Sequence, residues 1–419
     1  MINNRFFYLL LFLITLSGCS DESVSPQTTS GETSEIFEKN LQKQFLMARS
    51  GDVISIPAGR HLMTRPLSLK IDGVTIRGAG MDKTILDFSN QVAGAEAMLV
   101  SASQFTIEDL AIENAAGDAL KVNEGSHIVI RRVRTEWTNG PDTENGAYGI
   151  YPVQTSHTLI EESVAIGASD AGIYVGQSRH VIVRNNRAEY NVAGIEIENT
   201  VHADVYDNEA RHNTGGILVF NMPDLPITGS KTRVYNNRIE ANNTDNFAPP
   251  GGAVANVPAG TGILVNANDE VEIFANQLSH NRTANIIISS GFSSNLASEA
   301  VASVYDPYPE SIWIYQNSYE GGGDSPDTLE LKALKTAVYG LNGRFPDVIW
   351  DGFVNPELLD QGILPADKQI CVTNPVVLML NVDAPNDYAS PGEDMSHHRC
   401  ELTPLPPVSL ENIPAQPSL

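Results

Sequence analysis

The chain has 419 residues and sets 51 Asp and Glu against 26 Lys and Arg, a formal charge of −25. That acidity argues against nucleic acid as a partner, because phosphate backbones reward cationic surface. Cations and uncharged sugars are compatible with it, and an acidic polymer would need a local patch of opposite sign. With 42% hydrophobic residues, gathered in short Ile and Val bursts, the chain is too apolar to be disordered and long enough for one large solenoid or two to three ordinary domains.

Residues 1–19, MINNRFFYLLLFLITLSGC, read as an export signal: Arg5 is cationic, Phe6 to Leu16 is apolar, and small residues precede Cys19. The ending Leu16-Ser17-Gly18-Cys19 resembles the lipobox of bacterial lipoproteins, which implies acylation of Cys19 and a lipid anchor; cleavage elsewhere, or a short anchor, is the alternative. Each inserted CH₂ contributes about 0.8 kcal/mol, so several acyl chains hold firmly. Ser20, where an Asp would retain the protein, resembles the outer-membrane form of the sorting signal, so the expected location is the bacterial cell envelope. Residues 20–33 form a polar tether, and no later run is long and apolar enough to cross a bilayer. With Cys19 acylated, Cys371 and Cys400 remain, and an exported chain is expected to join them in a disulfide.

Ser34 to Arg49 carries a helical pattern, with Ile36, Phe37, Leu41, Phe45 and Leu46 on one face. Short strands follow, around Val53, Ile54 and Ile56 and again in GVTIRGAGMDKTILDFS. From about residue 98 the chain repeats. One strand reads ALKV (119–122), GIYP (149–152), GIYV (172–175), GIEI (194–197), GILV (216–219), GILV (262–265) and NIII (285–288). A second reads HIVIRR, HTLIEE, HVIVRNN, HADVYDN, KTRVYNN, EVEIFAN and SIWIYQN. Asn186 recurs as Asn208 and Asn191 as Asn213, each 22 residues on. A period of that length signals a solenoid.

Propeller blades need roughly 40 residues and four strands, and the leucine framework of leucine-rich repeats is missing. The pattern therefore predicts an all-β chain: a right-handed parallel β-helix over 34–324 with an N-terminal capping helix, a C-terminal cap over 325–403 that includes a helix near 325–342, and a loose proline-rich tail over 404–419. Alternation sends Leu120/Val122, Ile173/Val175, Ile195/Ile197, Ile217/Val219, Ile263/Val265 and Ile286/Ile288 inward, and Lys121, Tyr151, Tyr174, Glu196, Leu218, Leu264 and Ile287 outward. Asn186, Asn208, Asn237, Asn276 and Asn317 share one place after the second strand and are expected to form a structural amide ladder. His157, His180 and His202 form another column, best explained as packed turn residues.

On these repeats, most specifically the run YGIYPVQT, SDAGIYVGQS and NVAGIEIEN, the chain resembles bacterial parallel β-helix repeat proteins of the pectin-lyase-like superfamily. The repeats are also similar to those of mannuronan C5-epimerases and NosD-type accessory proteins. The resemblance covers roughly 51–319 and implies the fold. It leaves activity open among lyases, epimerases, hydrolases and plain binding scaffolds. The Asp-Pro-His motif of the epimerases has its nearest counterpart in Asp306-Pro307-Tyr308-Pro309-Glu310, which lacks the histidine. Lyases of this fold pair acidic calcium ligands with a basic residue. Calcium is thus the cofactor the resemblance brings into view, although no metal ligand set emerges from the residues themselves.

Insertions at 137–148, 221–231, 243–261 and 289–310 break the beat on both margins of the first-strand face and would wall a groove suited to a polymer. Tyr151 and Tyr174 offer rings for sugar stacking or for packing under a loop. Glu196 and Glu198 could serve as an acid/base pair, as cation ligands, or as ordinary surface carboxylates. Lys121 is the nearest base. Two function classes follow. One is an envelope protein whose groove binds or modifies a polysaccharide, with Tyr151, Tyr174, Glu196 and Glu198 as ligands. The other is a structural or assembly factor with an envelope protein partner on Leu218, Phe220 and Leu264, residues that could equally lie beneath the insertions at 221–231 and 243–261.

Overall fold

A computed structural model of the chain describes residues 31–298, 305–374 and 376–410. Among them, eleven parallel strands form one sheet and nineteen form a second, which runs in two columns joined at a corner. Each strand pairs with its counterpart one coil away: Ile173 with Ile195, Ile195 with Ile217, Ile217 with Ile263, and Ile263 with Ile286. The inward aliphatic pairs expected from alternation are all fully buried in one continuous core. Burying each such side chain stabilises the fold by roughly 1.5–3 kcal/mol.

The corners explain the polar columns. Asn185, Asp207 and Asn236 adopt left-handed backbone conformations, with φ of 55°, 53° and 55°, which Asn and Asp tolerate well. The asparagine after each turns inward. Asn186 Nδ2 donates to Asn208 Oδ1 at 3.0 Å, Asn208 to Asn237 at 3.0 Å, Asn237 to Asn276 at 2.9 Å and Asn276 to Asn317 at 2.9 Å. Each amide also donates to a strand carbonyl, as Asn208 does to Val183 O at 2.9 Å. A second buried ladder runs through Asn191, Asn213, Asn242 and Asn281. His127, His157, His180 and His202 also sit at left-handed positions, with φ between 52° and 63°. Their rings stack at centroid distances of 5.0, 5.0 and 5.3 Å. The histidine column follows from backbone geometry.

Four features differ from the sequence expectation. The first helix spans Gly31–Met47 and turns Ser34, Glu38, Leu41 and Phe45 toward the coils, while Ile36 and Leu46 face solvent. Glu38 is drawn in because its carboxylate accepts from Thr64 N (3.0 Å) and Arg65 N (2.8 Å), capping backbone left open at the first coils. Second, stacking does not stop near residue 320. After the helix Leu329–Tyr339, the strands Val348–Trp350, Ile370–Val372 and Met379–Asn381 extend both sheets. Third, the described part of the expected tail, residues 404–410, is not loose: Leu405 N donates to Glu272 Oε1 (2.9 Å) and Val408 N to Asp204 Oδ2 (3.1 Å), strapping the segment across the second sheet. Fourth, the outward row of the first sheet is partly roofed. Cys371 and Cys400 are joined in a disulfide that ties the last coils to this strap. Cys19 and the export signal lie outside the described residues.

Candidate functional site

The outward row runs as alternation requires. Lys121 pairs with Tyr151, the pairing of Ile150 with Ile173 sets Tyr174 beside Tyr151, and Tyr174 pairs with Glu196, Glu196 with Leu218, and Leu218 with Leu264. It is closed in its middle, from Tyr174 to Leu264, and partly open at its first part and at Ile287. Leu99, Lys121 and Tyr151 are half-buried, whereas Tyr174 is 4% and Glu196 1% exposed.

The roof is the insertion 243–261. Val254 and Val257, from around the short helix Ala253–Asn256, pack with Phe247 and Ala248 onto Tyr174, Leu218, Phe220 and Leu264. Asn246 holds the loop folded by donating to Val254 O and Val257 O, both at 2.9 Å. This decides between alternatives that the sequence leaves open. Tyr174 is not a free stacking ring, because an apolar loop seals it. The apolar face of Leu218, Phe220 and Leu264, considered for a protein partner, is already covered by this chain.

At the edge of the open part, three tyrosines converge. Tyr148 lies 4.4 Å from Tyr151 and 4.7 Å from Tyr174 by ring centroids, and Tyr151 meets Tyr174 edge-on at 4.9 Å. Tyr148 Oη donates to Asp170 Oδ2 (3.3 Å), and Tyr174 Oη donates to Glu198 Oε1 (2.5 Å). Gln177 Nε2 donates to both Tyr174 Oη and Glu198 Oε1 at 3.3 Å. Lys121 is already neutralised: its Nζ lies 3.7 Å from Glu96, 4.0 Å from Asp118 and 4.7 Å from the centre of the Tyr151 ring.

Crowding of carboxylates beneath a roof sets their protonation. Burial, reinforced by the charge of Glu198, pushes Asp170 up to about 7. Burial and the charges of Asp170 and Glu198 raise Glu196 well above the usual range, and its buried Oε2 has no hydrogen-bond partner. Burial also raises Glu198, and it pushes Asp118 up to about 6 against the opposing pull of Lys121. Tyr151 rises to about 12 through burial and the nearby carboxylates. A carboxyl group poised near neutrality can give and take a proton at working pH.

Of the expected residues, the structure brings Lys121, Tyr151, Tyr174, Glu196 and Glu198 together. It adds Tyr148, Asp118, Asp170, Glu96 and Gln177. Tyr148 and Asp118 open the strands that carry Tyr151 and Lys121, so the strand starts held the missing signal. Glu96 likewise opens its strand, whereas Asp170 sits in the turn just before the strand Ala171–Gly176.

This architecture defines a parallel β-helix with a tyrosine–carboxylate strip on its outer face. The chain belongs to the right-handed β-helix family, whose model for the "right handed beta helix region" matches residues 67–232 and 143–301. No curated protein is close enough in sequence to count as a relative. Among solved structures, the chain is similar to the A-module of mannuronan C-5 epimerase AlgE4 from Azotobacter vinelandii, at 17% identity and TM-score 0.48, over 78% of this chain and 89% of that one. It is also similar to DFA-IIIase from Arthrobacter chlorophenolicus A6, at 11% identity and TM-score 0.45, over 76% and 89% of the two chains. Alginate lyase AlyF-OU02 is a third, at 13% identity and TM-score 0.43, over 78% and 77%.

Proposed function

We propose that this chain is a cell-envelope lipoprotein, anchored through Cys19, whose open outer strip binds an uncharged polysaccharide at Tyr148, Tyr151, Asp118 and Glu198. The observation that carries this reading is the packing of Tyr148 and Tyr151, backed by the buried Tyr174, against hydrogen-bonding carboxyl groups on a strip that reaches solvent. Aromatic rings offer flat apolar surface to the C–H faces of a sugar, and carboxyls and phenols bond its hydroxyls. The charge of the strip favours a ligand without carboxylates. Lys121 is the only cation in the row among the described residues, and Glu96 and Asp118 already neutralise it. A uronate would bring further negative charge beside Asp170, Glu196 and Glu198 with no free cation to meet it.

Should the bound sugar be turned over, Asp170 is the group placed to act. Its ordinary range is moved toward neutrality, and Tyr148 Oη holds its carboxyl at 3.3 Å. A glycan array of neutral and uronate-containing polysaccharides, read with the purified full chain, tests the assignment. Binding confined to neutral members supports it; selective binding of uronates rules out this ligand class. Incubating the bound polymer and measuring new reducing ends or unsaturated products then separates binding from turnover.

A further inference from the structure

Away from the tyrosine strip, a second group of carboxylates gathers where the first sheet gives way to the second. Asp269 opens the strand Asp269–Phe274. Val271 pairs with Ile312 and Ile312 with Ile370, so Asp269, Glu310 and Lys368, each two residues earlier, occupy one column on three successive coils. Neighbouring coils lie about 4.8 Å apart, so this column stacks one carboxylate on another. Glu310 N donates to Asp269 Oδ1 at 3.0 Å, which fixes that register. The run Asp306-Pro307-Tyr308-Pro309-Glu310 then brings a third carboxylate back to the same place. One oxygen from each of Asp269, Asp306 and Glu310 lies within 4.8 Å of the others.

Hydrogen bonding inside the protein leaves this group unfinished. Glu310 is 1% exposed, and its Oε1 atom is buried with no hydrogen-bond partner. Lys368 Nζ lies 3.4 Å from the other oxygen, and Asn355 also hydrogen-bonds the Glu310 carboxyl. With three carboxylates ionised, this one lysine leaves a net charge of −2. A buried carboxylate oxygen without a partner costs several times an ordinary hydrogen bond unless a cation or proton meets it.

We propose that Asp269, Asp306 and Glu310 form a divalent-cation site, with calcium as its ion, that fastens the insertion 289–310 to the stacked coils. The all-oxygen donor set suits a hard cation. Its assembly from one strand start and one loop suits the flexible six- to eight-fold coordination of calcium better than the strict octahedron of magnesium. Tyr305 and Phe292 hang from the same insertion, where Tyr305 Oη donates to Asn221 O at 2.5 Å and Phe292 stacks on Phe353. An ion at its base would therefore order one wall of the outer face.

The test uses the purified full chain, stripped with chelator and titrated with calcium or magnesium while the unfolding temperature is followed. Calcium should raise that temperature by several degrees once it exceeds its dissociation constant about 100-fold, and magnesium should do so less. Asp306→Asn changes an exposed side chain, so the variant should fold, and the calcium concentration needed for the shift should rise at least about ten-fold. Glu310→Gln should abolish the shift. If Glu310→Gln does not fold, Asp306→Asn alone decides. No calcium-dependent shift in the parent chain, or an Asp306→Asn variant that responds like the parent, overturns the site.

Discussion

The ring of Tyr174 lies over the backbone of Gly176: a Cβ on Gly176 would stand 2.4 Å from both Tyr174 Oη and Cε1. Gly176 faces Glu198 across the coil boundary, so the missing side chain is what lets the phenol reach Glu198 Oε1. The prediction is that Gly176→Ala displaces the ring and breaks that bond, at about 1–3 kcal/mol. Chemical denaturation of the variant measures the loss. A cost below about 0.5 kcal/mol would mean that the ring has another resting place.

A pH dependence follows from Asp170. Its native value of about 7 lies above the ordinary 3.8, so the folded chain holds this proton more tightly than the unfolded chain does. The resulting stabilisation is complete below about pH 4 and is lost as pH rises through 7. Asp118, raised to about 6, acts in the same direction. Asp170→Asn should therefore flatten the decline in unfolding temperature between pH 4 and 8 without removing it. An identical decline in both proteins would place Asp170 in an ordinary solvated environment.

The amide ladder should be costly to interrupt. Asn208 donates to Asn237 Oδ1 and Val183 O and accepts from Asn186 N and Nδ2, all within the buried corner. Asn208→Ala orphans several of those groups together, and a loss of about 2–4 kcal/mol is expected. Urea denaturation with an unchanged slope would place that loss in stability, not in altered compactness.

Reduction of the disulfide is a fourth test. Cys371 and Cys400 are 29 residues apart, and opening a loop of that size costs about 3–4 kcal/mol in chain-entropy terms. Cys400→Ser should lower stability by about 2–4 kcal/mol and loosen the strap near Leu405 and Val408. Faster amide exchange at those two residues, ahead of the central coils, is the expected signature.

Much of this fold is legible in residue order, and the reasons are particular. Strand alternation and a 22-residue interval place Ile195 under Ile217, and the same strand endings align the asparagines even where insertions lengthen the interval, because each coil repeats one solution to one packing problem. The last coils escape that reading. The strand at Val348–Trp350 comes 59 residues after its neighbour, Ala284–Ser289, and no glycine-led tetrapeptide announces it. The candidate site was visible only as a row. That Tyr151 stays open while Tyr174 is sealed depends on where Val254 and Val257 fold, and a loop's landing place is not written in its own periodicity. Likewise, the prolines Pro404, Pro406 and Pro407 read as a loose tail and hid two backbone amides, of Leu405 and Val408, that find Glu272 and Asp204.

The central claim is that the open strip around Tyr151 is where a neutral polysaccharide binds. Tyr174→Ala would confuse binding with folding, since that ring is buried, whereas Tyr151 is half-exposed. The decisive measurement is calorimetric titration of the full chain and of Tyr151→Ala with the neutral polysaccharide selected on the array. Loss of one stacking ring should weaken binding at least about ten-fold, roughly 1.4 kcal/mol, with the unfolding temperature nearly unchanged. Equal affinity in the two folded proteins would contradict the account.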